Sequence, residues 1–138
     1  MKKSKLFAFA MTAVCIVAMI APSFAVATRA SDQIFAHSVT VTTAPGEINV
    51  EFSITGTGRM DKIGCESIYV YQDRSGWKLV EAHVEDDEGM SRENFSSHKN
   101  NIVCNAQAGE EYKVVVTLFA ENSDGRDTRT KIHYVTGK

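Results

Sequence analysis

The sequence is poorest in the patterns that would announce an enzyme or a metal protein. It contains no H-E-x-x-H and no C-x-x-C, so His37, His83, His98 and His133 read as scattered surface residues, with no metal site expected. It contains no G-x-S-x-G elbow, and no Lys-Ser or Lys-Thr follows Gly56-Thr57-Gly58 at phosphate-loop spacing. Asp61 with Glu66, or Asp86 with Glu93, are carboxylate pairs that any acidic chain supplies by chance. No catalytic residue is therefore nominated, no cofactor is expected, and the chain is not read as an enzyme. Outside the first residues no window holds a helical period, and no internal repeat occurs. With only two prolines in the chain, little interrupts extended structure.

Basic residues are also scarce, apart from the N-terminus. Lys2, Lys3 and Lys5 precede an uncharged run from Leu6 to Ala21. Pro22 ends any helix there, and Ser23-Phe24-Ala25 offers small residues at the positions a signal peptidase reads. Residues 1–25 are expected to be a signal peptide, with cleavage possible as late as 30. An uncleaved anchor is the alternative, since Leu6 to Ala27 reaches the ~20 residues a bilayer requires; Pro22 favours cleavage. Cys15 has no small-residue recognition sequence before it, so lipid attachment is not expected. Counted from Ser31, the chain has lost Lys2, Lys3, Lys5 and Arg29 but no acid, which takes the formal charge from −2 to −6. An acidic product without a basic patch excludes nucleic acid as partner, and no membrane contact is expected after cleavage. Residues 26–33 form a flexible lead, and residues 34–138 suffice for one domain with one core.

What is present is alternation. Ile48, Val50, Phe52 and Ile54 alternate with Glu47, Asn49, Glu51 and Ser53, the period of a strand with one buried face. Gly56-Thr57-Gly58 reads as its end. Glu66 to Asp73 is a second strand, Asp73-Arg74-Ser75-Gly76 a turn, and Trp77 to Val84 the returning strand of a hairpin. The stretch from the acidic loop at Glu85 to about Asn100 is weakly patterned. Glu111 to Glu121 carries the strongest alternation, Asn122-Ser123-Asp124-Gly125 is a turn, and Asp127 to Thr136 is the last strand. Short strands at regular spacing predict an all-β sandwich of about seven antiparallel strands.

Two stretches carry a resemblance. Ala108-Gly109-Glu110-Glu111-Tyr112-Lys113-Val114-Val115-Val116, followed by Ala120-Glu121-Asn122-Ser123-Asp124-Gly125, resembles the end of a fibronectin type III domain, an immunoglobulin-like sandwich. The resemblance implies that Tyr112 is a structural tyrosine-corner residue, bonding backbone near the turn before its strand. The strand from Tyr112 to Asn122 is two residues longer than the usual type III spacing. The expected strand-B tryptophan is missing, with Phe52 in its neighbourhood. The chain as a whole is similar to small secreted proteins of unknown function from Gram-positive bacteria. Ile54 to Gly64, Ile68-Tyr69-Val70-Tyr71 before Trp77, and Asp127-Thr128-Arg129-Thr130 carry that likeness. It implies export and a sandwich, and brings no catalytic residue.

Export would permit Cys65 and Cys104 to form a structural disulfide. In an immunoglobulin-like register they fall at opposite ends of the sandwich, far beyond the ~7 Å Cα separation a bridge tolerates. The two readings stay open. The acidic run Glu85 to Glu88 lacks the alternating spacing of a calcium loop and reads as solvated charge. Asn94-Phe95-Ser96 is a glycosylation sequon in form alone.

Strand parity gives the functional expectation. If Ile68, Val70, Tyr112, Val114, Val116 and Leu118 face the core, then Tyr69, Tyr71, Val115, Phe119 and His133 face outward on neighbouring strands. Water-facing sheet surfaces are usually polar, so such a patch marks a surface for a partner. A cell-wall glycan or an extracellular protein would fit, because tyrosine offers an apolar face with a polar tip. Cross-strand pairing worth ~0.2–1 kcal/mol per pair would also account for the residues, as would a structural role in oligomer formation; a secreted hydrolase, the remaining alternative, would need a pocket with convergent titratable groups.

Overall fold

A computed structural model of the chain describes residues 32–138; the signal sequence expected at 1–25 and most of the lead lie outside the described residues. Six strands account for the regular structure described: β1 Ile34–Ala44, β2 Glu47–Asp73, β3 Trp77–Val84, β4 Ser91–Asn105, β5 Glu111–Asn122 and β6 Gly125–Thr136. Every pairing is antiparallel, and for the consecutive pairs β1–β2, β2–β3 and β5–β6 short turns require it.

The organising element is β2, a strand of 27 residues. Its first half is hydrogen-bonded between β1 and β4, from Glu47 opposite both Ala44 and Asn105 to Thr55 opposite Ala36 and Ser97. Its second half lies between β5 and β3, with Tyr69 opposite Val115 on one side and Ala82 on the other. One strand thus serves two layers: β1, β2 and β4 form the first, and β3, β2, β5 and β6 the second. The result is a β-sandwich of six strands where about seven were expected, because two expected strands are one. Gly56-Thr57-Gly58 does not end the strand as expected but lies within it. There the pairing with β4 slips, between Thr55 and Met60, and such irregularities sharpen the local bend of a strand.

Alternation then places the core. Ile48, Val50, Phe52 and Ile54 from the first half of β2 are fully buried. They join one cluster with Ile68 and Val70 from its second half and Tyr112, Val114, Val116 and Leu118 from β5. Burying one aliphatic or aromatic side chain stabilises a fold by about 1.5–3 kcal/mol, so this doubly fed cluster is the dominant attractive term. The Tyr112 hydroxyl accepts a hydrogen bond from the Gln107 backbone N–H at 2.7 Å, which fastens the connection between β4 and β5 to the start of β5.

Two turns fix the register. Pro45 and Gly46 join β1 to β2, with Gly46 at φ +78°, the sign that the second central residue of a type II turn demands. Ser123 and Asp124 join β5 to β6, setting Asn122 opposite Gly125; the Asn122 side chain accepts from the Asp124 N–H at 2.9 Å. Close approach decides Gly64, at φ +154°. A Cβ there would collide with the Met90 carbonyl oxygen and with Ser91, and the same carbonyl accepts from the Cys65 N–H at 2.7 Å.

Candidate functional site

The outer face of the second layer is built in rows by the pairing register. Leu79, Tyr71, Lys113 and Tyr134 lie side by side across β3, β2, β5 and β6, and the next row is Ala82, Tyr69, Val115 and Ile132. A third row, Val84, Ser67, Thr117 and Thr130, turns polar, and the two threonine hydroxyls are 3.1 Å apart. Trp77 enters from the start of β3. Its ring centroid lies 5.8 Å from that of Tyr134, with the planes tilted by 50°. The Lys113 ammonium sits 4.7 Å from the Tyr71 ring centroid and 5.4 Å from that of Trp77, inside the range of a cation–π contact.

Tyr134 and Ile132 are 66% and 55% exposed, Leu79 54% and Trp77 39%, whereas Tyr69, Tyr71 and Val115 are half-buried between their neighbours. Three of the five residues expected on this face therefore stand on it. Trp77, Leu79, Ile132 and Tyr134 were not singled out, and they carry most of its exposed apolar area.

His133 and Phe119 require correction. His133 is paired with Val114, whose side chain is in the core, so it points to the inner side at the β6 edge. Phe119 has the outward parity but is fully buried, because the Arg126 guanidinium covers its ring at 3.8 Å. That guanidinium is held by Glu66 at 2.8 Å, Glu85 at 3.2 Å and Glu121 at 3.8 Å. Lys62 contacts Glu85 at 3.1 Å and Asp86 at 2.8 Å. Burial is the largest influence on Glu85 and works upward, yet its hydrogen bonds to Lys62 and Arg126 bring its pKa below the ordinary carboxylate value. Part of the acidic loop is thus tied to cations of β2 and β6, and the outer face divides into an aromatic half and an ionic half.

The remaining expected residues fall elsewhere. Cys65 and Cys104 are both buried and unbridged. The Cys65 sulfur lies 3.3 Å from the Ser67 carbonyl oxygen, and burial pushes its thiol up to about 12. Of the four histidines expected at the surface, three keep partial exposure and one does not. His98 is buried against Phe52, with ring centroids 5.5 Å apart, and its Nε2 bonds the Gly89 carbonyl at 2.7 Å; the other three are half-buried. His83 is brought beside Glu81 and Cys104, a grouping not foreseen. Its sequence signal is the spacing Glu81-x-His83, which puts both side chains on one face of a strand. A cleft of about 190 Å³ adjoins it, lined among others by Gln72, Arg74, Glu81 and Gln107.

No protein-family model matches the sequence, and no curated protein matches it. Among solved structures the chain is similar to wild-type OgpA from Akkermansia muciniphila. The TM-score is 0.44 and the identity 11%, over 80% of this chain and 31% of that one. The chain spans about a third of the length of that structure.

Proposed function

We propose that the protein is an exported binding module with a fibronectin type III-like sandwich, and that it takes an extracellular or cell-wall glycan on its aromatic sheet face. Export rests on the sequence of residues 1–25. The observation that carries the binding reading is the Lys113 ammonium between the Tyr71 and Trp77 rings, with Tyr134 against Trp77 and Leu79 and Ile132 exposed on the same face.

Sugar rings present apolar C–H faces and polar hydroxyl edges. Tilted aromatic rings offer them contact area, while tyrosine hydroxyls and the indole N–H donate to the edges. Lys113 adds a cation in the middle of the platform, which favours a glycan carrying carboxylate or phosphate groups. Such a surface does not need a deep pocket.

Trp77→Ala combined with Tyr134→Ala is expected to abolish retention of the protein on insoluble envelope glycans. Both rings are substantially exposed, so the thermal midpoint should move little. Full retention by the double variant would overturn the reading. Retention on a protein bait alone, lost in the same variant, would keep the face and replace the ligand.

A further inference from the structure

The edge strand β3 carries its polar residues on its inner side. Trp77, Leu79, Val80 and Val84 are exposed, and Glu81 and His83 are the positions turned toward the other layer. A bulge at Val80 causes this: the pairing with β2 shifts between Tyr71 and Val70, after which Glu81 lies opposite Val70 and His83 opposite Ile68, both core residues. Facing them from the first layer, β4 presents Cys104, which is paired with Ile48 and is 1% exposed.

One ligating atom from each of Glu81, His83 and Cys104 lies within 4.8 Å of the other two. His83 Nε2 donates to Glu81 Oε2 at 2.5 Å. The other carboxylate oxygen, Oε1, accepts from the Asn105 backbone N–H at 3.0 Å and from its side-chain amide at 3.4 Å.

The geometry points to a zinc site formed by Cys104 Sγ, His83 Nε2 and Glu81 Oε2, with the fourth position open to water. Zinc takes thiolate, imidazole and carboxylate together, at roughly 2.0–2.3 Å each. Donors around one tetrahedral ion then lie about 3.3–3.6 Å apart, so side-chain shifts of about an ångström suffice. Charge favours the ion as well. A thiolate and a carboxylate beside a neutral imidazole sum to −2, which Zn²⁺ cancels where an uncompensated buried charge would be costly. On binding, the thiol proton passes to solvent, the imidazole loses its Nε2 proton to solvent and takes one up at Nδ1, and the freed Nε2 and Oε2 exchange their mutual hydrogen bond for two bonds to the metal.

Asn105 already performs the part of an outer-shell partner, fixing Oε1 and leaving Oε2 aimed at the other donors. The side chains of His83 and Glu81 are 26% and 20% exposed, which gives the ion a path from solvent. Without metal the thiol is poorly suited to attack anything: burial and the Glu81 carboxylate push its pKa well up. An inward charge on an edge strand also deters edge-to-edge pairing, but a single charge would do that, and here three donors converge from two layers. A bound ion would clasp β3 to β4, which pair with each other nowhere.

The test is titration of metal-free protein with Co²⁺, followed by displacement with Zn²⁺. A thiolate-to-cobalt charge-transfer band is expected to saturate at one ion per chain and to vanish when zinc is added. It should persist in Cys65→Ser and be lost in Cys104→Ser. Since Cys104→Ser sits in the core, His83→Gln is the second variant. It should keep the metal-free thermal midpoint, lose the rise that zinc gives the unaltered protein, and bind cobalt more weakly by over ~100-fold. Absence of the band, its loss in Cys65→Ser, or an unchanged cobalt affinity in His83→Gln would overturn the site.

Discussion

Phe119 and Tyr134 are both aromatic and both on the outward side of their strands, yet they have opposite roles. Phe119 is sealed by the Arg126 guanidinium, and Tyr134 is two-thirds exposed. Phe119→Ala should therefore cost about 3–5 kcal/mol, as for a buried aromatic, whereas Tyr134→Ala should cost no more than about 1 kcal/mol. Chemical denaturation of the two variants checks the contrast; equal losses would contradict it. Gly64 is constrained differently, because its Cβ would meet the Met90 carbonyl. Gly64→Ala is expected to cost at least about 2 kcal/mol, readable in the same experiment. The residue-level error over His133 had a signal available. A two-residue turn at Ser123-Asp124 sets 122 against 125, and counting outward sets 133 against 114. The cover on Phe119 had none, since parity gives the side a residue takes and not what lies on top of it.

Elements differed in legibility for physical reasons. The second half of β2, together with β3, β5 and β6, alternates, because in each one face meets core or neighbours and the other water. In β4 the first ten residues bury only His98, so the stretch to Asn100 carries almost no pattern to read. Gly56-Thr57-Gly58 looked like a turn because glycine serves equally where a continuous strand bends. The loop after β3 supplies a prediction at this scale. Glu85 has a depressed pKa in the fold, so its pairing with Lys62 and Arg126 contributes stability in full above its ordinary value of 4.5 and loses it as pH falls through the folded value. Thermal midpoints measured from pH 6 to pH 3 should fall less steeply for Glu85→Gln than for the unaltered protein. A slope remains, because Glu81 and Asp86 are depressed too. Identical slopes would show that the ion pairs are neutral in effect.

At the scale of the molecule, the sandwich follows from β2 feeding both layers and from turns that close the pairings. What the sequence could not convey is which side chains of different strands assemble. Trp77 and Tyr134 are distant in sequence and were not singled out, yet their rings meet, and the Lys113 ammonium lies against Trp77 and Tyr71. The same folding brings Glu81, His83 and Cys104 together from separate layers. The aromatic face is the central claim, and the most direct measurement is retention on isolated cell-wall glycan of the protein and of its Trp77→Ala/Tyr134→Ala variant, each with its thermal midpoint. Saturable retention that disappears in the variant while its midpoint holds is the predicted result. Retention equal in the two proteins would contradict the account, and so would no retention by either.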